Sequence, residues 1–302
     1  MEKIETNQDA NSQSLAKRHN DVNVGFTALN LLKEENLAQA EIFLKKFMGS
    51  DKGGIKSVAD GLAILARAQD MQLPFSTCIE HIHVINGKTG VDIHIVKALL
   101  SRAGVVWECT KDYTPQYQYT DGNTVYLETQ LPDYCVKCRT AKEALDVTKG
   151  DSVGVYPVKW FQDLKGNTYN EFQVSDKCVE AINKAHAMKL ANEGNFPIIR
   201  IPAQPIDYVT EYKFTRYKVI NGKEHEITCT SHFSYSEAQA ADFFKKDTYT
   251  KYARILIGHR AFTYGARDIA ADALMGVMES SELKITMGKD LGPEDFTVYE
   301  EV

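Results

Sequence analysis

The sequence predicts an α+β fold, with antiparallel β-hairpins and sheet packed with helices on one side. Three observations carry that expectation. Two-residue turn signals at Asn86-Gly87, Asp121-Gly122 and Asn221-Gly222 each lie between β-favouring runs, with Gly166-Asn167 as a weaker fourth. Apolar residues recur at helical spacing in several other stretches. Finally, 302 residues at 43% hydrophobic and 25% charged describe an ordinary globular chain, long enough for one large or two modest domains.

Taken in order, residues 1–22 are polar and mixed in charge, the composition of a flexible segment. A helix is expected over Val24 to Phe47, where Leu29, Leu32, Leu37, Phe43, Leu44 and Phe47 recur, with Gly49, Gly53 and Gly54 ending it. A second helix, Ile55 to Gln69, carries small residues for close packing and stops at Leu73-Pro74. A strand, the Asn86-Gly87 turn, a helix ending at Ser101-Arg102-Ala103-Gly104 and another strand follow. Asp176 to Ala191 has a helical pattern through Val179, Ile182, Ala185 and Met188. Two strands flank Asn221-Gly222, and a helical segment occupies Lys245 to Arg267.

That last segment concentrates charge. It holds six Lys and Arg against one Asp in a chain of net charge −6, interleaved with Tyr249, Tyr252, Phe262 and Tyr264. Asp268 to Val302 then reverses the sign, with nine acids and two bases. Local cations and aromatics in an acidic protein are the ingredients of a polyanion site. On a helical wheel Arg260 and Arg267 share a stripe with Tyr264 between them, Ile255, His259 and Phe262 form a neighbouring apolar stripe, and Lys251 and Arg254 point elsewhere. For each cation a solvated, ion-paired helix face is the alternative. The strand before Asn221 adds Lys213, Arg216 and Lys218. Residues 214, 216 and 218 share one of its faces and 213, 215 and 217 the other, so its cations divide.

The run YARILIGHRAFTYGARDIAADALMGVM, Tyr252 to Met278, resembles the C-terminal signature of phage RecT-type single-strand annealing proteins. Arg260, Ala261, Gly265 and Arg267 match its R-A-x-x-x-G-x-R core, followed by Asp272, Gly276 and Val277, while Ala270 and Ala271 stand where the family often has Pro. Ile55 to Trp107 and Ile206 to Phe233 resemble further family blocks in the same order, and the likeness covers about two-thirds of the chain. It implies a single RecT-like core over 23–285 with a divergent middle at 110–200, and an acidic tail at 286–302. It also implies ATP-independent binding and annealing of single-stranded DNA by a multimer, ring or filament, with single strand and annealed duplex as ligands. A phage exonuclease and a host single-stranded DNA-binding protein are the implied partners. The candidate contacts are Lys88, Lys213, Arg216, Lys218, Lys251, Arg254, Arg260, Tyr264 and Arg267, and no catalytic residue, cofactor or metal is expected.

Two other classes compete. His81 and His83 on one face of a strand, with His94 and Asp92 beyond the turn, suggest a metal-dependent hydrolase. A phage structural or adaptor protein would instead use the basic helix against an acidic partner. Cys135 and Cys138 form one CxxC without a second, a weak zinc signal, and free thiols are the expectation. GSDKGG at 49–54 matches neither glycine-rich phosphate loop, which argues against ATP use. Without an apolar run of membrane length or a secretory leader, the chain is expected to be soluble and cytoplasmic.

Overall fold

The computed structural model describes residues 33–48, 55–148, 150, 152–174, 178–245 and 247–286. The segment 1–22, the first part of the helix expected from Val24, and the tail from 287 lie outside them. The chain is α+β and divides into two compact units. The first comprises 1–112, 210–233 and 237–302, the second 113–209 and 234–236. Most of the stretch 110–200, expected to diverge, falls in the second unit.

In the first unit, helix Val58–Met71 begins where the Ser57 side chain accepts from Asp60 N at 3.1 Å. It buries Gly61, Ile64, Leu65, Ala68 and Met71, one stripe at helical spacing. Gln72, at φ 52°, closes it just before Leu73-Pro74. Leu44 of helix Glu34–Phe47 fits over Gly61, where a Cβ would lie 2.8 Å from a Leu44 methyl. Helix Phe75–His81, unanticipated in the sequence, follows Pro74. Pro is well suited to a helix start because its missing N–H needs no partner there. The hairpin Ile82–Ile85 and Lys88–Val91 turns at Asn86 (φ 51°) and Gly87 (φ 75°), the left-handed pair such a turn demands. Asp92 caps helix Ile93–Arg102 by accepting from His94 N and Ile95 N.

The unit's larger sheet has the order Lys223–Ser234, Asp207–Ile220, Val105–Gln116. Helix Ala253–Leu274 packs on its inner face through Phe262, which meets Phe214, Tyr212 and Trp107 edge-on at 5.3 to 5.4 Å. Gly265 makes that approach possible. A Cβ there would stand 2.7 Å from Phe214 Cδ2 and 2.8 Å from Ser231 Cβ. The helix bends at Ala270 (φ −144°, ψ 44°), continues to Leu274 and ends in the left-handed pair Met275 and Gly276. Strand Met278–Glu279 then joins the small hairpin in parallel and leads into helix Ser280–Thr286.

The second unit is an excursion of the chain from Tyr113 to Val209. Its sheets are Val125–Leu127, Gln118–Thr120, Val153–Pro157, Cys135–Lys137 and Cys178–Ala181, Phe196–Ile201, Trp160–Asp163, Thr168–Asn170, each in that order. Two of its pairs are parallel where antiparallel pairing was expected, Cys135–Lys137 with Val153–Pro157 and Cys178–Ala181 with Phe196–Ile201. Each pair brackets a helix, Ala141–Val147 or Lys184–Asn192, because parallel neighbours need a crossover. The helix expected over 176–191 is therefore a strand followed by a helix capped at Asn183, whose side chain accepts from His186 N. At the unit's ends the Tyr113 and Tyr208 rings stack, with centroids 4.6 Å apart and planes 9° from parallel.

Candidate nucleic-acid interface

The basic segment is broken at Tyr252 into a short helix, Asp247–Lys251, and the long helix Ala253–Leu274. Arg260 and Arg267 do share a stripe, and what they share is a carboxylate. Glu282 Oε1 lies 3.0 Å from the Arg260 guanidinium and 3.0 Å from Arg267 Nη1, with Oε2 taking the second Arg267 nitrogen. Arg260 is 4% exposed and lies over the Phe243 ring at 5.2 Å. It is an interior residue, not a surface phosphate contact. Arg267, with 34% of its side chain exposed, remains at the surface. Next to them Glu279 is buried, accepts from Ser281 Oγ and Glu282 N, and has its pKa pushed up by that burial. Arg254 pairs with Asp112 at 2.5 Å and Lys251 with Asp247 at 2.6 Å, both in solvent.

The hairpin strand divides as its alternation requires. Phe214 and Arg216 point into the core, while Lys213 and Tyr217 face solvent. Arg216, also expected at a DNA surface, is buried and grips Asp272 with both terminal nitrogens, at 2.6 and 3.1 Å. Its Nε donates to Ala103 O at 3.2 Å. Lys218 adds a contact to Asp272 at 3.2 Å. The Arg216 guanidinium, against partial desolvation and with help from Lys218, holds the Asp272 carboxyl far below the usual carboxylate range. A buried cation needs an acidic partner, and Arg216 and Arg260 have theirs in Asp272 and Glu282. Lys88 stands exposed beside the Asn86-Gly87 turn.

What the structure does bring together is a surface groove of about 350 Å³ between the hairpin and the long helix. Tyr264, Arg267 and Asp268 form one wall, and Thr230, Ser231 and His232 of strand Lys223–Ser234 the other. Tyr264 is partly exposed and rests edge-on against Phe233 at 5.8 Å. His232 and Thr230 were not singled out in the sequence. The alternation that buries Ser231 and Phe233 is the signal that would have turned them outward.

The histidines do not line up as a strand pair. His81 ends helix Phe75–His81 and His83 lies in the following strand. His81 Nδ1 is 2.5 Å from Asp92 Oδ2, and its ring is 5.9 Å from that of His94. Asp92 already serves the next helix as its cap. Nearby, His259 has a buried Nδ1 without a hydrogen-bond partner, and burial, then the Lys97 and His94 charges, lower its pKa to about 4 against the pull of Asp92. Among the described residues no group of three or more His, Cys, Asp or Glu is placed to hold a metal ion, Cys135 and Cys138 included. No described helix is long and apolar enough to cross a membrane. Comparison of the chain with protein-family models, with curated proteins and with solved structures finds no match.

Proposed function

We propose that this chain binds single-stranded DNA and anneals complementary strands without ATP, as a RecT-like protein working in a multimer, with single strand and duplex as its ligands. The observation that carries the reading is the groove between strand Lys223–Ser234 and helix Ala253–Leu274, which sets Tyr264 and Arg267 opposite Thr230 and His232. A cation for a phosphate, an aromatic ring for a base and hydroxyls for backbone oxygens suit contact with a single strand of any sequence. Lys213 and Tyr217 on the open sheet face extend the same chemistry. Annealing makes no covalent bond, and base stacking drives it at about 1.4 kcal/mol per step. An exonuclease that exposes the strand and a host single-stranded DNA-binding protein are the partners this reading calls for.

The experiment is fluorescence anisotropy of labelled oligo(dT) across a salt series, with annealing of two complementary oligonucleotides as the second readout. Length-dependent binding that weakens in Tyr264→Ala, with annealing reduced in parallel, supports the reading. Absence of polynucleotide binding at low salt overturns it in favour of a protein-binding adaptor.

A further inference from the structure

On the first unit, helix Val58–Met71, the Asn86-Gly87 hairpin and the segment after Leu274 enclose an open cleft of about 480 Å³. Its walls are small where they could obstruct, at Ala63, Ala66, Gly87 and Gly276. Its donor groups are the Arg67 guanidinium, the Lys88 ammonium and the Thr89 hydroxyl. Arg67 Nε donates to Thr89 Oγ1 at 3.3 Å, which fixes the guanidinium against the hairpin and leaves the hydroxyl proton of Thr89 free to donate elsewhere. Lys88 is the first residue of its strand, exposed, and among the described residues no carboxylate pairs with it. The one acid on the cleft, Asp70, is 64% exposed in its side chain and 4.0 Å from Arg67 Nη1. At that distance and exposure the pair is weak and screened.

Several other cations of this unit are differently placed. Arg216 and Arg260 are committed to interior carboxylates, Arg254 and Lys251 to acids at 2.5 and 2.6 Å. Arg102, on the adjoining cleft that shares Asp70, donates to the carbonyl of Gln72 at a helix end. The Arg67, Lys88 and Thr89 set differs because a guanidinium held by a hydrogen bond, an ammonium that no described carboxylate pairs with and a hydroxyl line one open cleft. That is the donor pattern that recognises a tetrahedral phosphate group.

We infer that Arg67, Lys88 and Thr89 form a phosphate-holding site, and that its ligand is a phosphodiester of a bound single strand. This rests on the DNA-binding reading but uses none of the groove residues that carry it. Arg67 and Thr89 thereby join the interface, and Asp70 becomes a carboxylate that competes with the strand.

The test is oligo(dT) affinity against salt for Arg67→Gln, Lys88→Gln, the double variant and Asp70→Asn, with unchanged urea midpoints confirming the fold. Each lost cation is expected to lower the log-log salt slope by about 0.7, so by about 1.4 in the double variant. Asp70→Asn is expected to bind several-fold more tightly at low salt and to converge with the wild type at high salt. A double variant that keeps the wild-type slope while Tyr264→Ala weakens binding overturns the site and leaves the DNA-binding reading intact. A wild type that binds no oligo(dT) overturns both. Inorganic phosphate is the competing probe. Displacement of the oligonucleotide by it at equal phosphate concentration overturns the strand-backbone assignment and makes the site one for a free anion.

Discussion

Arg260 and Arg267 hold the same carboxylate, yet replacing them should have opposite consequences. Arg260→Ala removes a guanidinium that is 4% exposed from a Glu282 whose side chain is 11% exposed. Breaking a buried pair by deleting one partner costs about 3–5 kcal/mol. Arg267 still neutralises Glu282, which puts the loss near the lower end, and the contact with Phe243 adds about 0.5–1 kcal/mol. Arg267→Ala leaves Glu282 with its interior partner and costs about 1 kcal/mol or less. For a unit of this size each kcal/mol is worth about 2–4 °C, so Arg260→Ala should lower the melting temperature by about 7–16 °C. The chain has two tryptophans, Trp107 in the first unit and Trp160 in the second. Fluorescence of Trp107, in a Trp160→Phe background, reads the affected unit alone. In DNA binding the order reverses, because Arg267→Ala should lower the salt slope by about 0.7 and Arg260→Ala, once folded, should leave it unchanged. An Arg260→Ala protein with wild-type stability and a reduced slope would refute the reasoning and return this arginine to the DNA surface.

Gly265→Ala gains about 1 kcal/mol in helix propensity but drives a methyl into Phe214 and Ser231 at an overpacking cost of about 1–3 kcal/mol, so it should be destabilising by up to about 2 kcal/mol net; a raised urea midpoint would contradict the close approach. His259 has a folded pKa of about 4 against about 6.5 when unfolded, so the unfolded chain takes up the extra proton between those values. Its contribution is full above pH 6.5 and is lost as pH falls toward 4, up to about 3 kcal/mol, a slope that urea titrations of His259→Phe should show flattened. Annealing should proceed in EDTA, since base pairing supplies the free energy; loss on chelation, restored by zinc and absent in His81→Ala, would favour the hydrolase reading.

Local signals placed much of the fold. All four Gly-containing turns connect neighbouring antiparallel strands, and Ser57, Asp92 and Asn183 cap helices that begin within a residue of them. The middle of the chain was less legible because short parallel strands and the helices between them merge into one apolar pattern, as at Val179 and Ile182. The cations were the least legible. A charge run records composition, whereas the partners that decide exposure, Asp112, Asp272 and Glu282, come from distant or following segments with no periodic relation to it. Alternation on the hairpin strand did separate Lys213 from Arg216, but not which face is covered; burial leaves Lys213 in solvent and puts Arg216 in the core.

The Tyr113–Tyr208 stack has a consequence for how the protein assembles. Strands Val105–Gln116 and Asp207–Ile220 are neighbours, with Thr110 Oγ1 donating to Glu211 O at 3.2 Å, yet roughly 100 residues of chain separate them. Closing so long a loop costs roughly 2–3 kcal/mol more than closing one of about six residues. If the excursion folds first, its own stacked ends bring Asp112 and Thr210 together, and the penalty is met before the outer sheet forms. The inserted unit would then act as a folding clamp for the unit that carries the candidate interface. A chain in which an Asn-Gly turn joins Asp112 directly to Thr210 should keep that sheet, whereas Tyr208→Ala in the full chain should slow its formation.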